Sequence, residues 1–200
     1  MNEIQLLLNK IFNCLKRINS PLVEFLNDGI DKTNINTRLK KYNLEFPEEV
    51  YSLYGWKNGV TDKEEHLMGH IMLFIMGIFS SFDRSCNSYQ EWCGKDRYWN
   101  KTLFPLFESG GAGFHLIQCD PSSVNYGMIY FYDISADEFD TIIGKYDSLK
   151  TLLQSVYDCY LLDIYTFNKY GIFTVIDYEK SFKISKKYNP RCYQYWNMLL

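Results

Sequence analysis

Two hundred residues suffice for one compact domain of ordinary size and give no reason to demand two cores. The chain is 46% hydrophobic and 22% charged, a globular balance, and its 17 Tyr and 14 Phe predict a tightly packed interior rimmed by amphipathic rings. A net charge of -3 excludes general affinity for nucleic acid or anionic lipid, both of which need a concentrated positive field, so a neutral or basic protein is the expected partner.

In the first segment Ile4, Leu7, Leu8, Ile11, Phe12, Leu15 and Ile18 recur at helical spacing, with Asn2 placed to cap the start and Pro21 to prevent continuation. This predicts an amphipathic helix. Glu3, Gln5, Asn9 and Lys10 interrupt its apolar face and no small-residue cleavage site follows, so it does not read as a secretory signal. The longest apolar run, Ile71 to Phe79, is far short of the roughly 20 residues a membrane span needs, and a soluble, cytoplasmic protein is expected. From Pro21 to Asn43 the pattern predicts a helical turn at Leu22 to Leu26, a break at Asp28 and Gly29, and a short helix with Ile35, Leu39 and Tyr42 inward.

Leu44 to Val60 reads as a short buried helix. Pro47 suits its first position, Glu48 and Glu49 meet the positive end of the helix dipole, Val50, Leu53 and Tyr54 face inward, and Asn58 and Gly59 end it with residues that tolerate a left-handed backbone. Thr61 to His66 is a charged loop. Leu67 to Phe79 predicts a strand or strand pair broken at Gly69 and Gly77, and Ser80 or Ser81 then caps a helix with Phe82, Cys86, Tyr89 and Cys93 on one face. Leu103 to Asp133 reads as a three-strand meander, with turn freedom at Gly110, Gly111 and Gly113. An acidic loop, Ser135 to Asp140, and a short strand, Thr141 to Lys145, come next. Asp147 is placed to cap a helix that turns Leu149, Leu152, Leu153, Val156, Tyr157 and Tyr160 inward, and the remainder predicts one helix near Tyr178 to Lys187 and an aromatic tail.

Several groups of residues invite a chemical reading. Cys14, Cys86, Cys93, Cys119, Cys159 and Cys192 are widely spread with no CxxC pair, which predicts reduced, mostly buried thiols. His66 and His70 would present two nitrogens to one metal on a helix, but Gly69 interrupts it and no third ligand is evident. The glycine cluster precedes a strand, so it reads as a strand turn instead of a phosphate cradle. His115 and Cys119 share a strand face yet stand about 13 Å apart, too far for a Cys/His nucleophile with Asp120. Asp137, Glu138 and Asp140 have no apolar walls to shift a pKa. Lys180, Lys183, Lys186, Lys187 and Arg191, interleaved with Tyr188, Tyr193, Tyr195 and Trp196, could line a nucleic-acid groove, but helical spacing and Glu179 favour a solvated face.

Taken in order, four pieces resemble the SMI1/KNR4 family, the SUKH superfamily. They are the helix with Leu44, Pro47, Val50, Tyr54, Asn58 and Gly59; the apolar Phe74 to Phe82 leading to Tyr89 and Trp92; and Phe104, Pro105, Gly110, Gly111, Gly113, Phe114 and Asp120, followed by Gly127, Ile129, Tyr130 and Tyr132. The fourth piece is Ser148 and Leu149, with Tyr188, Asn189, Pro190, Tyr195 and Trp196 familiar from some members. The resemblance implies an α+β fold with a single mostly antiparallel sheet and helices packed against it. Residues 1–200 would form one such domain, with 1–43 an N-terminal helical extension and 161–200 a C-terminal helical and aromatic extension. It further implies a bacterial immunity protein, partnered with a cognate toxin, often a nuclease, which it blocks by binding, with no catalysis, cofactor or metal. Asp62, Glu64, Glu65, Asp137, Glu138 and Asp140 are the expected contacts, because acidic loops speed association with a basic nuclease. Fungal members, protein-interaction regulators of cell-wall assembly, supply the alternative of a non-toxin scaffold module.

Overall fold

The computed structural model describes residues 2–61, 67–95, 99–135 and 142–200. Its first helix, α1 (Glu3–Arg17), starts on a capping box in which the Asn2 side chain accepts from the Gln5 N–H while the Gln5 side chain accepts from the Asn2 N–H. The expected apolar stripe is buried at Ile4, Leu7, Leu8, Ile11 and Leu15. Helix α2 (Leu22–Phe25) runs into β1 (Leu26–Asp28), and α3 (Lys32–Leu39) is capped by Asp31.

Helix α4 (Glu48–Trp56) follows Pro47 and buries Val50, Leu53 and Tyr54. Its end departs from expectation. Lys57 is extended, so the chain passes straight into β2 (Lys57–Val60), which pairs antiparallel with β1. Gly59 alone of the Asn58-Gly59 pair takes a left-handed φ, of 65°, and a Cβ there would clash with the Ser81 nitrogen. Asn58 serves differently, its side-chain oxygen accepting from the Phe82 N–H.

The central sheet is a six-stranded antiparallel meander in chain order: β3 (Met72–Phe74), β4 (Gly77–Phe79), β5 (Leu103–Glu108), β6 (Gly113–Gln118), β7 (Ile129–Asp133) and β8 (Ile143–Tyr146). The expected three-strand meander is thus β5 to β7. The β3–β4 pair turns at Ile75 and Met76, not at Gly69 and Gly77; Met76 adopts φ 56° while Gly77 lies within β4, pressed against the Phe74 ring. Ser81 caps α5 (Phe82–Trp92) by accepting from the Arg84 N–H. Both sheet faces are covered. Phe104, Phe107, Ile117 and Ile129 join the helices in the main core, while Leu103, Phe114, Leu116 and Tyr132 cluster with Trp99 on the other side. A strand covered on both faces has no polar alternation, and β6 is buried at every residue.

Helix α6 (Leu149–Leu161) packs along α1 and α4. Ser148, not Asp147, is its cap, through a box with Thr151, and Asp147 instead accepts from the Arg191 N–H. Tyr160 donates from inside the core to the Leu73 carbonyl at 2.8 Å. The C-terminal region holds more than one helix and a tail. A hairpin of β9 (Tyr165–Phe167) and β10 (Phe173–Val175) precedes α7 (Tyr178–Tyr188), and α8 (Tyr193–Leu199) follows. The architecture is α+β.

Candidate functional site

The acidic residues expected at a partner interface, Asp62, Glu64, Glu65, Asp137, Glu138 and Asp140, lie outside the described residues, as does His66. His70 stands in a single 3-10 turn with its Nε2 3.0 Å from the Tyr170 carbonyl oxygen. No group of three or more His, Cys, Asp or Glu among the described residues could hold a metal ion. The glycine loop joins β5 to β6 as a strand turn, where the Ser109 hydroxyl accepts from the Gly111 and Gly113 N–H groups. All six cysteines are free, and every one but Cys93 is buried. Cys119 and His115 do not meet: the Cys119 thiol donates to the Ile117 carbonyl, and burial pushes that thiol well up from its ordinary value. On α7 the Lys183 amine pairs with Glu179 on an exposed face, whereas Trp196 is buried and cannot stack on a base.

His115 has a partner that the sequence did not disclose. Between β7 and β8 the register steps from Ile129 opposite Tyr146 to Tyr130 opposite Gly144, which leaves Lys145 as the extra residue of a bulge. In a regular strand Lys145 and Tyr146 would point to opposite faces. The bulge instead lets both reach the same interior, where the Lys145 Nζ lies 3.2 Å from the His115 Nε2 and the Tyr146 ring 6.2 Å from the imidazole. Rings surround the amine, their centroids at 4.7 Å for Phe131, 5.1 Å for Tyr195 and 6.0 Å for Trp196. These are cation–π distances. Trp196 also donates its indole N–H to the Lys145 carbonyl at 2.9 Å.

Burial dominates the electrostatics here. It drives the Lys145 amine from its ordinary 10.5 down to about 7, and it holds His115 well below 6.5, with the lysine charge lowering it further. As an ammonium the amine can only donate to Nε2, which puts the imidazole proton on Nδ1, and Nδ1 is buried with no hydrogen-bond partner among the described residues. No carboxylate pairs with Lys145 among those residues. The contrast is Glu108, also buried, which accepts from the Ser80 hydroxyl and from the Arg84 guanidinium.

A hollow of about 820 Å³ lies between the α3 to α4 connection and the loops at the far ends of β5 and β6. Lys40, Glu45, Tyr51, Thr102 and Asp120 line it. The Asp120 carboxyl accepts from the Ser122 backbone and hydroxyl, which hold it below the usual carboxylate range. Among the described residues no helix is long and apolar enough to cross a membrane.

A search of curated proteins finds no match. The model of the SMI1 / KNR4 family (SUKH-1) matches residues 29–155, from the turn after β1 to the middle of α6. That span contains the whole six-stranded meander, its three central helices and the buried lysine, and the chain belongs to the SMI1/KNR4 family.

Proposed function

We propose that this chain is a cytoplasmic immunity protein of a bacterium, which binds a cognate polymorphic toxin of nuclease type and neutralises it by occluding its active site or substrate surface. Membership of the SMI1/KNR4 family over residues 29–155 carries the reading, because bacterial members of that family commonly act so. Inhibition of this kind needs shape and charge complementarity over about 1,200 to 2,000 Å² and no catalytic group of its own. The net charge of -3 suits a basic target, and the acidic loops with Asp62, Glu64, Glu65, Asp137, Glu138 and Asp140 are the proposed contacts.

Co-expression is the test. Cells producing the toxin domain encoded beside this chain are expected to grow when the chain is present, and the two proteins to co-purify. Failure of both rescue and co-purification overturns the reading. Reversing the six acidic charges should slow association by tenfold or more at low salt and flatten its salt dependence, measured by surface plasmon resonance.

A further inference from the structure

Beside the buried amine is a cavity of about 110 Å³, lined by Lys145 and Ser185 among mostly apolar side chains. Three of the rings that surround the Lys145 Nζ, those of Tyr146, Tyr195 and Trp196, also form walls of this cavity. Met76 and Leu199 line it too and are 37% and 43% exposed, so they mark its mouth. Met76 sits at the tip of the β3–β4 turn and Leu199 ends α8, so neither is locked inside a long element.

An ammonium group has three donors, and His115 accepts from only one of them. Ring faces stabilise the charge but accept no strong hydrogen bond. Among the described residues no anion stands beside it; a buried cation left so is costly, and the group that would satisfy it is an acceptor carrying one negative charge. The space is small and otherwise apolar. A cavity of roughly 150 Å³ accommodates benzene, so this one suits a body of about four to six non-hydrogen atoms. We propose that the pocket binds a short-chain monocarboxylate, its carboxylate against the Lys145 ammonium and its alkyl part against Tyr195 and Trp196. This site is independent of the toxin-binding reading and uses none of the acidic residues invoked there.

Butyrate is the probe, with butyramide as its neutral isostere and acetate as the ionic control, added to the full chain. A ligand of about six non-hydrogen atoms reaches millimolar affinity, so titration extends to about 50 mM. Among the described residues the titratable groups facing Lys145 are His115 from β6, Tyr146 from β8, Tyr165 from β9 and Tyr195 from α8. Burial holds His115 well below 6.5, Tyr146 and Tyr165 well above 10, and pushes Tyr195 up to about 12. Of these groups Lys145 alone changes charge between about pH 6.5 and about pH 8.5.

Butyrate is therefore expected to raise the melting temperature saturably and to perturb Trp emission at pH 6.5, and to bind at least tenfold more weakly at pH 8.5. Lys145→Met, which keeps the volume and removes the charge, should abolish the butyrate effect. A wild-type protein with no saturable response at either pH, a response equal for butyramide, or one that persists in Lys145→Met overturns the site.

Discussion

At the scale of single residues, Lys145 shows how burial converts a surface side chain into a proton switch. Its amine is charged in the unfolded chain up to about 10.5 and neutral in the folded one above about 7, so between those values the unfolded state binds the extra proton. Stability gained from losing that proton rises with pH through this window and is absent below it. The buried thiols act in the opposite sense. Burial raises Cys14, Cys86, Cys119, Cys159 and Cys192 above 9.0, so their contribution is present at neutral pH and lost as pH rises past that value. Comparing wild type with Lys145→Met cancels the thiols. The variant is expected to be more stable at pH 7 by about 1 to 4 kcal/mol, the usual result of replacing a buried charge by an apolar group. In urea titrations wild type should then recover on it by up to about 1.4 kcal/mol per pH unit between about pH 8 and 9.5. A gap independent of pH would show that the amine stays charged in the fold. None of this is legible in the sequence, where Thr141 to Lys145 reads as a short strand; one unpaired residue in the ladder turns the lysine inward, and no local pattern encodes the slip.

At the scale of elements, what the sequence discloses is what local chemistry decides. Helix α1 follows from its apolar spacing and its Asn2 cap, and the β5 to β7 meander from its apolar runs and glycine turn. Short elements whose form depends on a distant partner are hidden. Lys57 to Val60 becomes a strand only because β1 lies beside it, and the β9–β10 hairpin forms where Tyr165 and Phe173 pack ring to ring. The turn at Met76 is a further case, because a methionine takes the left-handed backbone while the neighbouring glycine is kept for its small size against Phe74. Gly59 needs both properties at once. Its φ of 65° and the contacts of a Cβ with the Ser80 and Ser81 backbone predict that Gly59→Ala costs about 3 kcal/mol or more, read as a lowered denaturation midpoint at unchanged slope. A loss under about 1 kcal/mol would mean that the β2 to α5 approach is looser than described.

For the molecule as a whole, one continuous core links residues from Ile4 to Trp196, including side chains well outside the 29–155 family match. Trp196 is 2% exposed, contacts Phe182 and Tyr146, and ties the last helix to β8. Trp196→Ala is expected to lower stability by about 3 to 5 kcal/mol while unfolding stays a single transition by both far-UV and near-UV circular dichroism. Separate transitions by the two probes would show that the C-terminal region folds apart from the sheet. The proposed contacts rest on charge in loops alone, because which surface meets a partner is a property of both partners, and one chain encodes half of it.

The two tyrosine and tryptophan hydrogen bonds to strand carbonyls have a consequence for how the protein keeps to itself. Among the described residues β3 and β8 are the outermost strands of the six-stranded sheet, each a ready template for another chain's backbone. Both are short, both carry an irregular register, and each has a carbonyl already occupied by a ring donor, Leu73 by Tyr160 and Lys145 by Trp196. The bulge that buries Lys145 thereby also spoils the straight edge along which sheets of neighbouring molecules would zip together, so the same displaced residue that shapes the pocket guards against aggregation.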